Sequence, residues 1–184
     1  QISYYNIYVK TKIQLMSMQL DKVQPKNRIQ LEQLIDYAFK HNIYDLNFID
    51  TSKITNMYEL FEYTEHDFNV SKWDTSNVKN MSYMFYKCYK FTGKGIGNWD
   101  VSNVKDIGGM FAGCEKFDCD LSNWDMSNVT DMGYAFIDCE KFKGKGLENW
   151  NVTNVTNMRR MFDGCNKLTI PNWYKKLYIV KNKI

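Results

Sequence analysis

Four tryptophans, Trp73, Trp99, Trp124 and Trp150, stand 26, 25 and 26 residues apart, and each opens the same run of Asp or Asn, any residue, Ser or Thr, Asn, Val. Self-similarity at a fixed period of this length decides architecture before local propensity does, because one such unit cannot bury its own apolar face and must stack on its neighbours. Between the tryptophans the apolar types recur in order: Val78, Met81, Met84, Phe85, Cys88 and Phe91, then Val104, Ile107, Met110, Phe111, Cys114 and Phe117. The third and fourth copies repeat the order through Phe136 and Cys139, and through Phe162 and Cys165. Upstream, Leu46, Ile49, Thr51, Ile54, Met57, Leu60 and Phe61 form a degenerate first copy, which makes five.

Each copy divides into two periods. Val70, Trp73 and Thr75, and their counterparts Ile96, Trp99 and Val101, carry the L-x-x-L-x-L spacing of a short strand. Met81, Met84, Phe85 and Cys88 stand at i, i+3, i+4 and i+7, the spacing of one helical face. Asn56, Asn80, Asp106, Asp131 and Asn157 precede that half and have the chemistry of N-caps. The expected fold is therefore an α/β repeat: a leucine-rich-repeat-like solenoid of short parallel strands and short helices, with a helical N-terminal cap.

The expected layout places an arm or linker over 1–24 and a capping helix over 25–45. Five repeats follow over about 46–69, 70–95, 96–120, 121–146 and 147–169. A C-terminal cap begins before 173, and a basic tail occupies 174–184. The capping helix rests on the apolar spacing of Ile29, Leu31, Leu34, Ile35, Ala38 and Phe39.

The repeat of WDxSNVxxMxxMFxxC type resembles the BspA-like leucine-rich-repeat family. The resemblance covers about residues 27–178, from the capping helix through Asp45 to Met57 and on to Pro171-Asn172-Trp173-Tyr174-Lys175-Lys176. It implies a parallel-sheet repeat and a binding or display role of the kind held by mycoplasma lipoproteins, surface proteins of anaerobic bacteria and giant-virus reading frames. It implies no catalytic residue. The chain shows no lipobox, sorting signal or membrane anchor, so direct attachment to a membrane is not expected.

The composition narrows function in the same direction. Two histidines, His41 and His66, with no metalloprotease motif and no Ser/His/Asp spacing, leave little material for acid–base or zinc chemistry. No enzyme activity, cofactor or metal is expected. A net charge of +3 is too small to point to specific nucleic-acid binding, and no apolar run is long enough to span a membrane.

Among the repeated polar groups, Cys88, Cys114, Cys139 and Cys165 form one column, expected to be small buried thiols beside the structural Trp73, Trp99, Trp124 and Trp150. Asp50, Asp74, Asp100 and Asp125 form another, expected to accept the amides that follow as Asx-turns. The residues that vary from copy to copy remain for recognition: Phe48, Tyr58, Lys72, Tyr83, Tyr134, Arg159, Arg160, Lys175 and Lys176. The expected role is a non-enzymatic protein-interaction module in adhesion or surface display, at a cell surface or outside the cell, with another protein or assembly as partner. The alternative is a structural part of a larger assembly such as a giant-virus particle.

Overall fold

The computed structural model describes residues 22–181. The five copies stack in register, but neither half of the unit takes the secondary structure expected of it. Among the described residues there is no sheet: parallel pairing is confined to six isolated bridges, four of which link Asn56, Asn80, Asp106, Asp131 and Asn157 in succession. The only α-helices described are α1 (Arg28–Lys40) and α2 (Asn172–Lys181), one at each end of the stack. The α/β solenoid of strands and helices is thus replaced by a stack of coils built from turns.

The reason lies in the hydrogen bonds of a single coil. In the presumed helical half, Met84 N–H donates to Met81 O and Cys88 N–H to Phe85 O, both i to i+3, with positive φ at Tyr83 (55°) and Lys87 (55°). Positive φ at the third residue is the signature of a type II turn, and it breaks a helix. Two such turns in tandem put Met81, Met84, Phe85 and Cys88 on one face just as a helix would. They also leave alternate amides free to reach the next coil: Met81, Tyr83, Phe85 and Lys87 donate to Asp106, Gly108, Met110 and Ala112 at 2.7–2.9 Å. The strand half fails for a related reason. Trp73 N–H bonds to Val70 O and Val78 N–H to Thr75 O, so a turn closes every few residues before an extended run can form.

Every repeated side chain fits this frame. Trp73, Trp99, Trp124 and Trp150 are buried, and each Nε1–H donates to a carbonyl one coil earlier, on Leu46, Val70, Ile96 and Leu121 at 3.0–3.3 Å. Phe61, Phe85, Phe111, Phe136 and Phe162 form a ring ladder with centroids 5.4–5.8 Å apart. Asn77, Asn103, Asn128 and Asn154 donate Nδ2–H to the Ser carbonyl of the coil before, at 2.6–2.9 Å. Asp74 and Asp100 each accept the amide and hydroxyl of the Ser two residues on, Asp50 and Asp125 accept the Ser amide, and Asn151 does the same with Thr153.

The cysteines also bridge coils: Cys88, Cys114, Cys139 and Cys165 donate Sγ–H to Phe61, Phe85, Phe111 and Phe136 carbonyls at 2.9–3.0 Å. All are free thiols, and burial pushes the Cys88 and Cys165 thiols up to about 12. Cys165 in the last coil is half-buried, as is Cys119 outside the column.

Both ends are covered. Asn27 caps α1 by accepting Gln30 N–H, while Gln30 reaches back to Lys26 N–H, and Leu31, Leu34, Ile35 and Ala38 face the core. Val23 extends the first coil by exchanging bonds with Phe48 O and Asp50 N–H, so Lys22 to Pro25 are part of the stack; residues 1–21 of the expected arm lie outside the described residues. At the other end α2 was not expected. It starts after Pro171, and its Trp173 donates to Leu147 O at 2.7 Å, continuing the tryptophan ladder into the cap.

Two predictions follow from the ladders. Trp124→Ala in the central coils removes a buried ring and should cost about 3–5 kcal/mol, whereas Trp124→Phe removes one of the two donors to the Ile96 carbonyl, leaving Trp99 N–H in place, and should cost about 0.5–1.5 kcal/mol; urea unfolding midpoints measure both. Alkylation of the native protein should label Cys119 and Cys165 first and leave Cys88, Cys114 and Cys139 unmodified until denaturant is added, as mass spectrometry of the peptides would show.

Candidate functional site

A groove of about 370 Å³ runs along the stack beside the Asx column, across all five coils from Tyr58 to Asn157. Its shape comes from departures from the repeat. The residue two after the Asx is Tyr58, Ser82, Gly108, Gly133 and Arg159 in successive copies, and the next residue is Glu59, Tyr83, Gly109, Tyr134 and Arg160. Gly108 and Gly133 remove side chains from the floor in the two middle copies, where both are buried. The Tyr83 ring lies over Gly109, so close that a Cβ there would come within 2.4 Å of it. Gly109 has φ +62°, and the next coil raises Tyr134 in the same column.

Asp106 and Asp131 supply the groove's charge. Each accepts a floor amide at 2.8 Å, from Gly108 and Gly133. Asn157 donates Nδ2–H to both Asp131 oxygens at 3.0 Å. Burial pushes the Asp106 carboxyl up from its ordinary range, and the neighbouring Asp131 charge adds to this against the Gly108 amide and the Ser82 hydroxyl. Burial also raises the Tyr83 hydroxyl, with the Asp131 and Asp106 charges next in size. The carboxylates on the outer Asp column behave oppositely. The Ser102 and Ser127 hydroxyls and amides hold Asp100 and Asp125 low, and Lys145 with Ser122 holds Asp120 down at about 2.

The aromatic surface continues past the groove. Tyr58 meets Tyr83 edge-on at 6.3 Å, Tyr83 meets Tyr86 at 5.7 Å, and Tyr86 meets Tyr63 at 5.4 Å. Cations already sit on these rings: Lys87 Nζ lies 5.3 Å and 5.2 Å from the Tyr63 and Tyr86 centroids, and the Arg159 guanidinium 5.8 Å from Tyr134.

Of the residues singled out from the sequence, Tyr58, Tyr83 and Tyr134 come together in this groove, with Arg159 at its end against Tyr134. The others do not join it. Arg160 pairs with Asp163 at 2.7 Å, and Lys72 is exposed, its carbonyl accepting Lys22 Nζ at 3.4 Å. Phe48 packs half-buried against the core, and Lys175 and Lys176 are exposed on α2. Asp106 and Asp131 were read only as caps. The signal that marks them is the Gly108-Gly109 pair, which interrupts two columns at once, together with Asp in a column otherwise filled by Asn.

Among the described residues no three or more His, Cys, Asp or Glu converge as metal ligands, and no helix is long and apolar enough to cross a membrane. A family model described as "Mycoplasma protein of unknown function, DUF285" matches residues 29–145 and, in a second overlapping alignment, 87–177. No curated protein and no solved structure matches the chain.

Asp106 should separate on titration from Asp100 and Asp125 of the outer column and from Asp120. By carbon-detected NMR, Asp106 should titrate above 3.8 and Asp100, Asp120 and Asp125 below it. A raised native value means that ionised Asp106 opposes folding at neutral pH and costs nothing once both states are protonated; Asp106→Asn should therefore raise the melting temperature at pH 7 and leave it unchanged near pH 3. For Asp120 the sign reverses: its contribution is present above 3.8 and is lost as pH falls towards about 2.

Proposed function

Because the chain belongs to the DUF285 mycoplasma family, whose model matches well over half of it, we propose that it is a non-enzymatic protein-interaction module that recognises its partner through the Tyr58–Asn157 groove and the tyrosines beside it. One observation carries this reading. The repeated polar groups on the Trp, Asn, Cys and outer Asp columns are engaged in ladders and turns within the stack, while Tyr58, Tyr83, Gly108, Gly133 and Tyr134, which depart from the repeat, line one groove. Half-exposed tyrosines offer large rigid contact area at low entropic cost, the chemistry enriched where binding energy concentrates. Adhesion or surface display is the setting that the BspA-like character of the repeat supports.

The test uses substitutions the repeat itself supplies. Tyr58→Ser copies the second coil, and Tyr83→Gly and Tyr134→Gly copy the third, so each introduces a residue the coil already accommodates at that place. Immobilised protein should capture a defined partner from a host-cell membrane extract, and the triple variant should lose it by about tenfold or more. Substituting exposed Lys90, Lys116 and Lys141 should leave capture intact. Equal capture by the triple variant would refute recognition through the groove.

A further inference from the structure

We propose that the middle of the groove is a seat for a single guanidinium group, so that the partner presents an arginine side chain between Asp106 and Asp131 with the Tyr83 and Tyr134 rings beside it. This rests on the interaction reading above and adds the chemistry of the partner.

Four observations meet at this place. Gly108 carries no side chain between two carboxylates: a Cβ on it would lie 3.2 Å from an Oδ1 of both Asp106 and Asp131, and one on Gly133 would meet Asn157 at the adjoining place in the groove. None of the ten lining residues is Lys or Arg, and the four ion pairs among the described residues leave Asp106 and Asp131 without a cationic partner. Two carboxylates this close repel each other and are partly withdrawn from water, so a cation placed between them is attracted more strongly than on an open surface. The rings of the same surface already hold cations, Lys87 on Tyr63 and Tyr86 and Arg159 on Tyr134, so the wall is of a kind on which a guanidinium stacks. Arginine suits the seat better than lysine, because its planar fork can donate to two carboxylates while its face rests on a ring.

The chain's own charge makes the test clean. At a net +3 the protein repels a basic peptide at long range, so binding of one reports a local site. The probe is a fluorescent Gly-Ser peptide carrying two arginines, with a twin in which citrulline replaces both. Citrulline keeps the shape and removes the charge. Saturable anisotropy binding is expected for the arginine peptide, at least about tenfold weaker for the citrulline twin and for the Asp106→Asn/Asp131→Asn protein. That variant is expected to fold, because Asn already fills the column at Asn56, Asn80 and Asn157 and accepts the same amide; an unshifted or raised melting temperature at pH 7 checks it. Absence of binding, equal binding of the two peptides, or equal binding by the two proteins would overturn the seat. If a partner is captured in a Tyr-dependent way but is indifferent to the Asp substitutions, the seat fails while the interaction reading stands. Retention on a neutral oligosaccharide matrix that depends on Tyr83 and not on the carboxylate charge would likewise replace arginine by a sugar.

Discussion

The structure depends on hydrogen bonds between coils: alternate backbone amides reach carbonyls of the next coil, and side-chain donors reach carbonyls of the coil before. A turn-built coil pairs part of its backbone within its own turns and must send its remaining amides to the neighbouring coil, because buried backbone groups left unpaired are costly. The repeat adds side-chain donors. Trp124 Nε1–H reaches Ile96 O, Cys139 Sγ–H reaches Phe111 O, and Asn128 Nδ2–H reaches Ser102 O, each 26–28 residues back. These residue types are therefore fixed by hydrogen bonding as much as by burial. A Phe in place of Trp, or an Ala in place of Cys, would fill part of the same space and remove the bond between coils, leaving the carbonyl only the turn amide of its own coil. The motif is thus a list of donors, with the apolar column packed between them.

The same constraint explains which parts of the fold were legible in the sequence. The columns were, because a residue type recurring at a fixed period needs no secondary-structure assignment to be placed in the core. The capping helix was legible too, because its apolar stripe does not depend on stacking. The local structure of the coil was not, since i, i+3, i+4, i+7 is the spacing of a helical face and equally of two tandem turns. What separates them is the requirement that alternate amides bond to the next coil, a long-range condition that no window of one copy contains. The comparison between copies does hold a clue. Gly109 aligns with Tyr83 and Gly113 with Lys87, four residues apart, and a pair of glycines in the middle of a short helix is an expensive choice. At positive φ it is the least strained one.

Those columns also show how a rigid repeat acquires a site. Backbone geometry asks for glycine at the third residue of each turn, yet Glu59, Tyr63, Tyr83, Lys87, Tyr134, Asp138 and Arg160 occupy it with φ of 51–60°. A non-glycine residue there costs of order 1 kcal/mol or more. Tyr83 and Tyr134 wall the groove, and Tyr63 and Lys87 form the aromatic surface next to it. Glycine instead stands at 109, 113 and 164, where a Cβ would come close to Tyr83, Lys87 or Asp138 of the coil before. The strained residues are thus the ones that point chemistry outward, and the relaxed ones are those that make room for it.

The two acidic columns complete this division between scaffold and surface. On the outer column each carboxylate is followed two residues on by a Ser whose amide it accepts, and at Asp100 and Asp125 the Ser amide and hydroxyl lower its proton affinity. On the groove column the residue two along is glycine in the middle copies and has no hydroxyl to give. Asp106 keeps its amide bond and has the Ser82 hydroxyl of the coil before it nearby, but its own coil offers no hydroxyl of the kind that Ser82 gives Asn80. The missing hydroxyls and the missing side-chain volume arise from the same glycines. An acidic charge left less satisfied, in a place left less filled, is the electrostatic and steric consequence of one change in the repeat, and it is that change which turns a column of turn residues into a recognition surface.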